Sequence, residues 1–239
     1  NKSPYFSSEL ISYQKSHQPS LKGVQWDNKL MIETLKNECL KRNITYIPET
    51  ITDVSLNEEG YVDCVITQNN KISGDLYLDC SGFNSILLEK TYKFKWNSIS
   101  NTLFNNRAVA IRKKYNNPQQ ECHPYTKSTA INSGWMWSIP TYKDIAHGYV
   151  YSDLYIDKDN AEKELREKIN EWDSPAFHLS FRTGSREKTA FKNVCGVGNA
   201  IAFIEPLEAT NLTFTADALL WLDRILDESN GHWSEPCNN

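Results

Sequence analysis

Between residues 104 and 155 short apolar runs alternate with turn-forming residues, and this pattern narrows the choice of fold more than any other feature. RAVAIRK, YTKSTAI, GWMWSIP and HGYVYSDLYI are rich in β-branched and aromatic residues and are punctuated by Asn-Asn and Pro. Closely spaced segments of this kind predict neighbouring strands of an antiparallel sheet. Within GWMWSIP, Trp135 and Trp137 stand two residues apart. Alternate side chains of a strand share a face, so the two indoles are expected side by side. They either pack a sheet face or wall a flat ligand.

Helical periodicity flanks this region. Asp27 to Arg42 reads as a helix with Asp27 as N-cap, Met31, Leu35 and Cys39 on one stripe, and Asn43 closing it. A short strand, Ile44 to Ile47, is expected next. A hairpin follows, Thr50 to Leu56 and Tyr61 to Thr67 about the turn Asn57-Glu58-Glu59-Gly60. Residues 74 to 83, GDLYLDCSGF, read as an apolar strand ending in Ser-Gly. Ala161, Leu165, Ile169 and Trp172 mark the buried stripe of a helix over about 159–172. Strands are expected at 177–182 and 187–191, and a last helix from about Asn211 to Glu228.

Composition excludes several classes. A net charge of -4 and a pI near 5.8 give no basic footprint for nucleic acid or an anionic membrane surface. No apolar run reaches the length of a membrane span, and the opening NKSPYFSSEL is not a signal peptide. A cytoplasmic location is therefore expected. The six cysteines form no CxxC pair and no histidines pair at ligand spacing, so reduced thiols and no metal site are expected. Aromatic residues at 12% suit an aromatic-lined cavity.

The segment GVGNAIAFIEPLEATNL, residues 196 to 212, is the strongest candidate for chemistry. A strand feeding Gly198-Asn199-Ala200 lets the backbone approach a ligand closely. The chain then enters a helix whose first N–H groups and dipole favour negative charge. Glu208 precedes that helix on a proline-stiffened turn and is a candidate base or hydrogen-bond acceptor. Taken alone, such a turn and one glutamate are also what any loop-to-helix connection offers.

In combination, GDLYLDCSGF, GWMWSIP, GYVYS, the Glu-rich helix, FRTGSRE and EPLEAT occur in an order that resembles the flavin-dependent tryptophan halogenase family. The resemblance runs from about Trp26 to Leu212. It implies that reduced FAD, oxygen and chloride or bromide together yield hypohalous acid, which passes along a tunnel to a lysine beside an aromatic substrate. By the same resemblance Glu208 assists catalysis. Backbone N–H groups at Thr210 and Asn211 hold the halide, Asn211 standing where glycine is common. Asn199, Leu212 and Ile51 contact FAD, and Trp135 and Trp137 flank the flavin and tunnel. Asp79 to Gly82 admit two readings, a flavin contact or a buried strand end.

The expected fold is α/β: a partial FAD/NAD(P)-binding, Rossmann-like fold with an antiparallel substrate-side sheet. Residues 1–90 and 190–239 would form the FAD-binding part, and 91–189 the sheet-rich substrate side. Neither a GxGxxG phosphate loop nor a lysine in the family's catalytic context occurs among these residues. The chain is therefore expected to be the central portion of a halogenase, by itself neither holding FAD tightly nor halogenating. The resemblance implies a separate flavin reductase as partner, and a homodimer is open. The rival expectations are an FAD-dependent aromatic monooxygenase and a non-catalytic flavoprotein fragment.

Overall fold

The computed structural model describes Gln25 and residues 27–229, the side chain of Glu208 excepted. The opening NKSPYFSSEL and Cys237 lie outside the described residues. In chain order the elements are α1 (Asn28–Lys41), β1 (Ile51–Leu56), β2 (Val62–Thr67), β3 (Lys71–Ser73), β4 (Tyr77–Asp79), β5 (Trp96–Ser98) and β6 (Arg107–Lys114). They continue with α2 (Pro118–Glu121), β7 (Lys127–Ile131), β8 (Gly134–Pro140), β9 (Asp144–Tyr151) and α3 (Lys158–Ile169). Five short strands follow, β10 (Ala176–Ser180), β11 (Gly184–Arg186), β12 (Ala190–Phe191), β13 (Val194–Gly196) and β14 (Ala202–Phe203), and then α4 (Thr210–Glu228). Two compact units result, one containing α1 and Asn105–Ser180, the other Ile47–Phe104 and the chain from Phe181 onward.

In the first unit β6 to β10 form one antiparallel sheet in the order β10-β6-β9-β8-β7. Strand alternation sends Val109, Ile111, Met136, Tyr149 and Tyr151 to one face, where Ala161, Leu165 and Ile169 of α3 cover them. The Tyr149 hydroxyl is satisfied in this core: it accepts from Ser133 N at 3.0 Å and donates to Glu164 at 3.1 Å. Asp157 caps α3, accepting from the backbone N–H groups of Asp159 and Asn160. The helix stops at Asn170, which takes a left-handed backbone (φ 50°). Trp172 therefore falls beyond it and is exposed, contrary to the expected stripe.

His147 is a buried polar residue of this sheet, hydrogen-bonded through Nδ1 to Ser138 Oγ at 2.8 Å. Burial, with the nearby Lys113 charge, lowers its pKa to about 4, against the weaker opposing effect of Glu121. The unfolded chain, with a histidine pKa of about 6.5, binds more protons than the folded one between these values. Stability is thus complete above about pH 6.5 and is lost as pH falls towards 4. The loss amounts to about 3 kcal/mol. The carboxylates held below their ordinary range, Glu49, Glu89, Asp157, Glu162 and Glu171, add their own losses only at lower pH. We expect urea midpoints to fall between pH 6.5 and 5 for the wild type but hardly at all for His147→Asn; parallel curves would remove this account.

The second unit holds three small sheets, β1-β2-β3, β14-β11-β5 and β12-β13-β4. Val62, Val65, Tyr77, Leu87, Leu88 and Val194 form its core, with Ile51, Val54, Ile72 and Ile201 packed against it. The hairpin β1–β2 forms as expected about a turn in which Gly60 has φ 80°. Two expectations do not hold. Ile44 to Ile47 pair with no strand, and Ile44 and Tyr46 are exposed. Of residues 74 to 83, only Tyr77–Asp79 is strand, because the chain turns at Cys80 to follow hydrogen bonds to Asp79. Of the strand expected at 187–191 only Ala190–Phe191 (β12) forms, and the one expected at 177–182 is β10, Ala176–Ser180.

Candidate functional site

The second unit brings the glycine turn and the last helix together. β13 and β4 run parallel, with Gly196 opposite Asp79. Their carboxyl ends point the same way, and the 3-10 turns that follow, Gly82–Asn84 and Gly198–Ala200, touch. In α/β sheets ligands settle in the crevice outside the carboxyl ends of parallel strands. Gly198 has φ +62°, a conformation that L side chains rarely adopt, and a Cβ there would lie 3.2 Å from Thr215 Oγ1 of α4. The turn is thus seated against the first turns of the helix.

The junction is bonded through Asn211. Its Nδ2 donates to Asn199 Oδ1 at 2.5 Å and to Ala202 O at 3.0 Å. Thr215 Oγ1 donates to Asn211 O at 2.7 Å, and Thr210 Oγ1 donates to Leu207 O at 3.0 Å. Glu208 lies on the 3-10 turn Leu207–Ala209, and Ala209 has a left-handed backbone (φ 52°) just ahead of α4. Asn199, Thr210 and Asn211, together with the backbone of Glu208, therefore belong to one junction. Leu212 follows on α4 with its side chain exposed. Ile51 packs on the core of the unit, and among the described residues no hydrogen bond joins it to the junction.

Of Asp79 to Gly82, Asp79 has a clear structural role. Its carboxylate is 2% exposed and already occupied. One oxygen accepts from Ser81 N and Oγ, the other from Leu87 N at 2.9 Å and Leu88 N at 3.1 Å. It thereby caps the π-helical turn Ile86–Thr91 and ties it to the end of β4. Asp79 is thus a buried strand end, while Cys80 next to it is exposed.

A charged cluster behind the turns has no counterpart in the expected site. Arg186, its side chain fully buried, pairs with Glu89 at 2.6 Å and donates to Phe94 O at 3.1 Å. Arg182 also pairs with Glu89, and donates to Phe83 O at 3.2 Å. The guanidinium of Arg182 lies 4.4 Å from the Trp96 ring. Arg182, and after it Arg186, hold the Glu89 carboxyl below its ordinary range. In sequence the two arginines of FRTGSRE stand four apart and local carboxylates are the available partners, whereas Glu89 lies 93 residues from Arg182. Only the tertiary fold supplies Glu89.

Trp135 and Trp137 belong to the first unit, on the sheet face opposite α3. Their ring centroids are 6.1 Å apart with planes at 57°, so they share a face without stacking. Trp137 leans over its cross-strand partner: a Cβ on Gly148 would fall 1.9 Å from the indole. Gly148→Ala should therefore expel the ring and destabilise the unit by about 1–3 kcal/mol. Urea unfolding and tryptophan fluorescence measure the two effects, and an unchanged emission spectrum with unchanged stability would contradict the packing described.

Parallel strands whose end turns meet a long helix, together with a hairpin sheet and a separate antiparallel sheet, define an FAD-binding α/β fold. The chain belongs to the tryptophan halogenase family, whose model matches residues 7–233. It is 33% identical over 206 residues to tryptophan 6-halogenase SttH of Streptomyces toxytricini, covering 85% of this chain and 39% of that protein. It is 34% identical over 188 residues to tryptophan 7-halogenase KtzQ of Kutzneria sp. (strain 744), covering 76% and 35%. The crystal structure of SttH superposes with a TM-score of 0.82 at 31% identity, over 84% of this chain and 42% of that one. Tar14, a tryptophan C-6 flavin-dependent halogenase (chlorinase) from taromycin biosynthesis, gives 0.80 at 30% identity, over 84% and 41%. The chain thus spans about two fifths of the length of the curated relatives it matches. No helix among the described residues is long and apolar enough to cross a membrane.

Proposed function

We propose that this protein halogenates an electron-rich aromatic compound such as tryptophan or another indole, using reduced FAD, oxygen and chloride or bromide. The observation that carries this reading is the junction at the carboxyl ends of β4 and β13. There a glycine turn, the loop bearing Glu208 and the positive end of α4 converge. These residues fit part of a flavin. Gly198 leaves the turn without a Cβ, and helix N–H groups favour an anionic or electron-rich atom.

Bound reduced FAD supplies the electrons that activate oxygen. The chain's own residues do the rest. Asn199 and Leu212, with Ile51 from the hairpin, contact the cofactor. The N–H groups of Thr210 and Asn211 at the start of α4 hold the halide. Glu208 orients or transfers a proton. Trp135 and Trp137 screen the flavin and tunnel from the organic substrate. In this division of labour residues 1–90 and 190–239 serve FAD and 91–189 the substrate side. A separate flavin reductase, in a cytoplasmic setting, delivers the reduced cofactor, and the protein can assemble as a homodimer.

The deciding experiment is product mass. The protein, FAD, a flavin reductase and tryptophan are incubated with chloride, with bromide and with neither. A product whose mass follows the halide is expected. A hydroxylated product formed in all three reactions would make the protein a monooxygenase. No product from a flavin-loaded protein would leave a non-catalytic role.

A further inference from the structure

The segment that carries Glu208 leaves β14 at Phe203 and enters α4 at Thr210, and side chains fasten it at both ends. At its start Phe203 lies opposite Gly184 of β11, and its ring sits between those of Phe83 and Phe181, with centroids 5.3 and 5.2 Å away. At its end the Asn211 amide reaches back across the mouth of the loop to Ala202 O, at 3.0 Å, and to Asn199 Oδ1, at 2.5 Å. Both bonds use Nδ2, the only donor atom of that side chain. Its Oδ1 is buried with no hydrogen-bond partner.

A buried acceptor left without a donor is unfavourable, and such a group calls for an explanation. The explanation here is geometric. Turning the amide over would satisfy Oδ1 no better, since Asn199 Oδ1 and Ala202 O are both acceptors and would then face a third. The orientation is fixed by the two bonds that close the loop. Phe203 anchors only the entering strand, so the exit of the loop depends on Asn211.

We propose that Asn211 is a positioning residue, its side-chain amide locking the Glu208 loop and the first turn of α4 against the glycine turn. This rests on the reading of Glu208, Thr210 and Asn211 as the working end of a halogenase. Glu208 and the halide-binding N–H groups stand on opposite sides of the Ala209 turn, and closing the loop fixes their separation. Asn211 thus acts on the halide through its side chain as well as its backbone.

Glutamyl endopeptidase tests the closure, because it can cut after Glu208 only when the loop opens. Glu59, in the exposed turn of the first hairpin, is the internal control. Asn211→Ala, and Asn211→Asp which keeps the shape but loses the donor, should each accelerate cleavage after Glu208 about tenfold. Cleavage after Glu59 should not change. Equal acceleration at both sites, or a rate at Glu208 matching the wild type in either variant, overturns the proposal. In turnover, Asn211→Ala should raise KM for halide about tenfold while kcat at saturating halide falls less. A fall in kcat with KM unchanged overturns the role. If the wild type makes no halogenated product at all, the reading of the loop fails and this role fails with it. Cleavage unchanged in a halogenating protein removes the role of Asn211 alone.

Discussion

In the full-length protein, Glu208→Gln is expected to lower halogenation on the order of 10²–10⁴-fold while flavin binding persists. The amide reproduces the shape of the carboxylate but carries no charge and cannot accept a proton at neutral pH. The local backbone explains why this position can bear such a burden. Pro206 stiffens the approach, Thr210 Oγ1 donates back to Leu207 O, and Ala209 holds a left-handed conformation that costs a non-glycine residue about 1–3 kcal/mol. Such a conformation persists only where the surroundings impose it, and it sets Glu208 immediately before the N-terminus of α4. Turnover with saturating halide and reductase, together with a flavin titration, separates the outcomes. Near-normal turnover would take the glutamate out of the chemistry. Parallel loss of flavin binding would make it a scaffold residue.

Much of this fold was legible because its signals are local. The strands from Arg107 to Tyr151 are short β-branched and aromatic runs between turn formers, and antiparallel neighbours need no long connection. The cap at Asp27 is a set of side chain to backbone bonds across two or three residues, which sequence alone suggests; the equivalent cap at Asp157 was not anticipated. What failed depended on tertiary partners or on where an element stops. Ile44 to Ile47 has strand composition but meets no strand. Trp172 fits the helical stripe by spacing, yet Asn170 takes the αL conformation and ends the helix first. At the candidate site, the glycine turn and the Glu208 loop were visible as a motif. The Asn199–Asn211 bond spans twelve residues, and the pairing of Glu89 with Arg182 spans 93.

Asp79 shows how a family motif can carry structural work, and it supports the largest stability change we expect. Its carboxylate receives four hydrogen bonds, from Ser81 N, Ser81 Oγ, Leu87 N and Leu88 N. Leu87 and Leu88 are core residues, 5% and 0% exposed, so water cannot replace the lost acceptor at their amides. Each buried donor left unsatisfied costs about 1–3 kcal/mol. Asp79→Ala should therefore destabilise the protein by about 4 kcal/mol, a large part of the roughly 5–15 kcal/mol typical of a folded domain. Asp79→Asn keeps one oxygen but turns an NH2 towards donors, so it should cost about half as much. The effect should appear as a lowered urea midpoint with an unchanged slope, since the same surface is exposed on unfolding. If Asp79 served instead as a flavin contact, the pattern would invert: weaker flavin binding at nearly unchanged apo-protein stability. A loss below about 1 kcal/mol for Asp79→Ala would show that the π-helical turn does not depend on its cap.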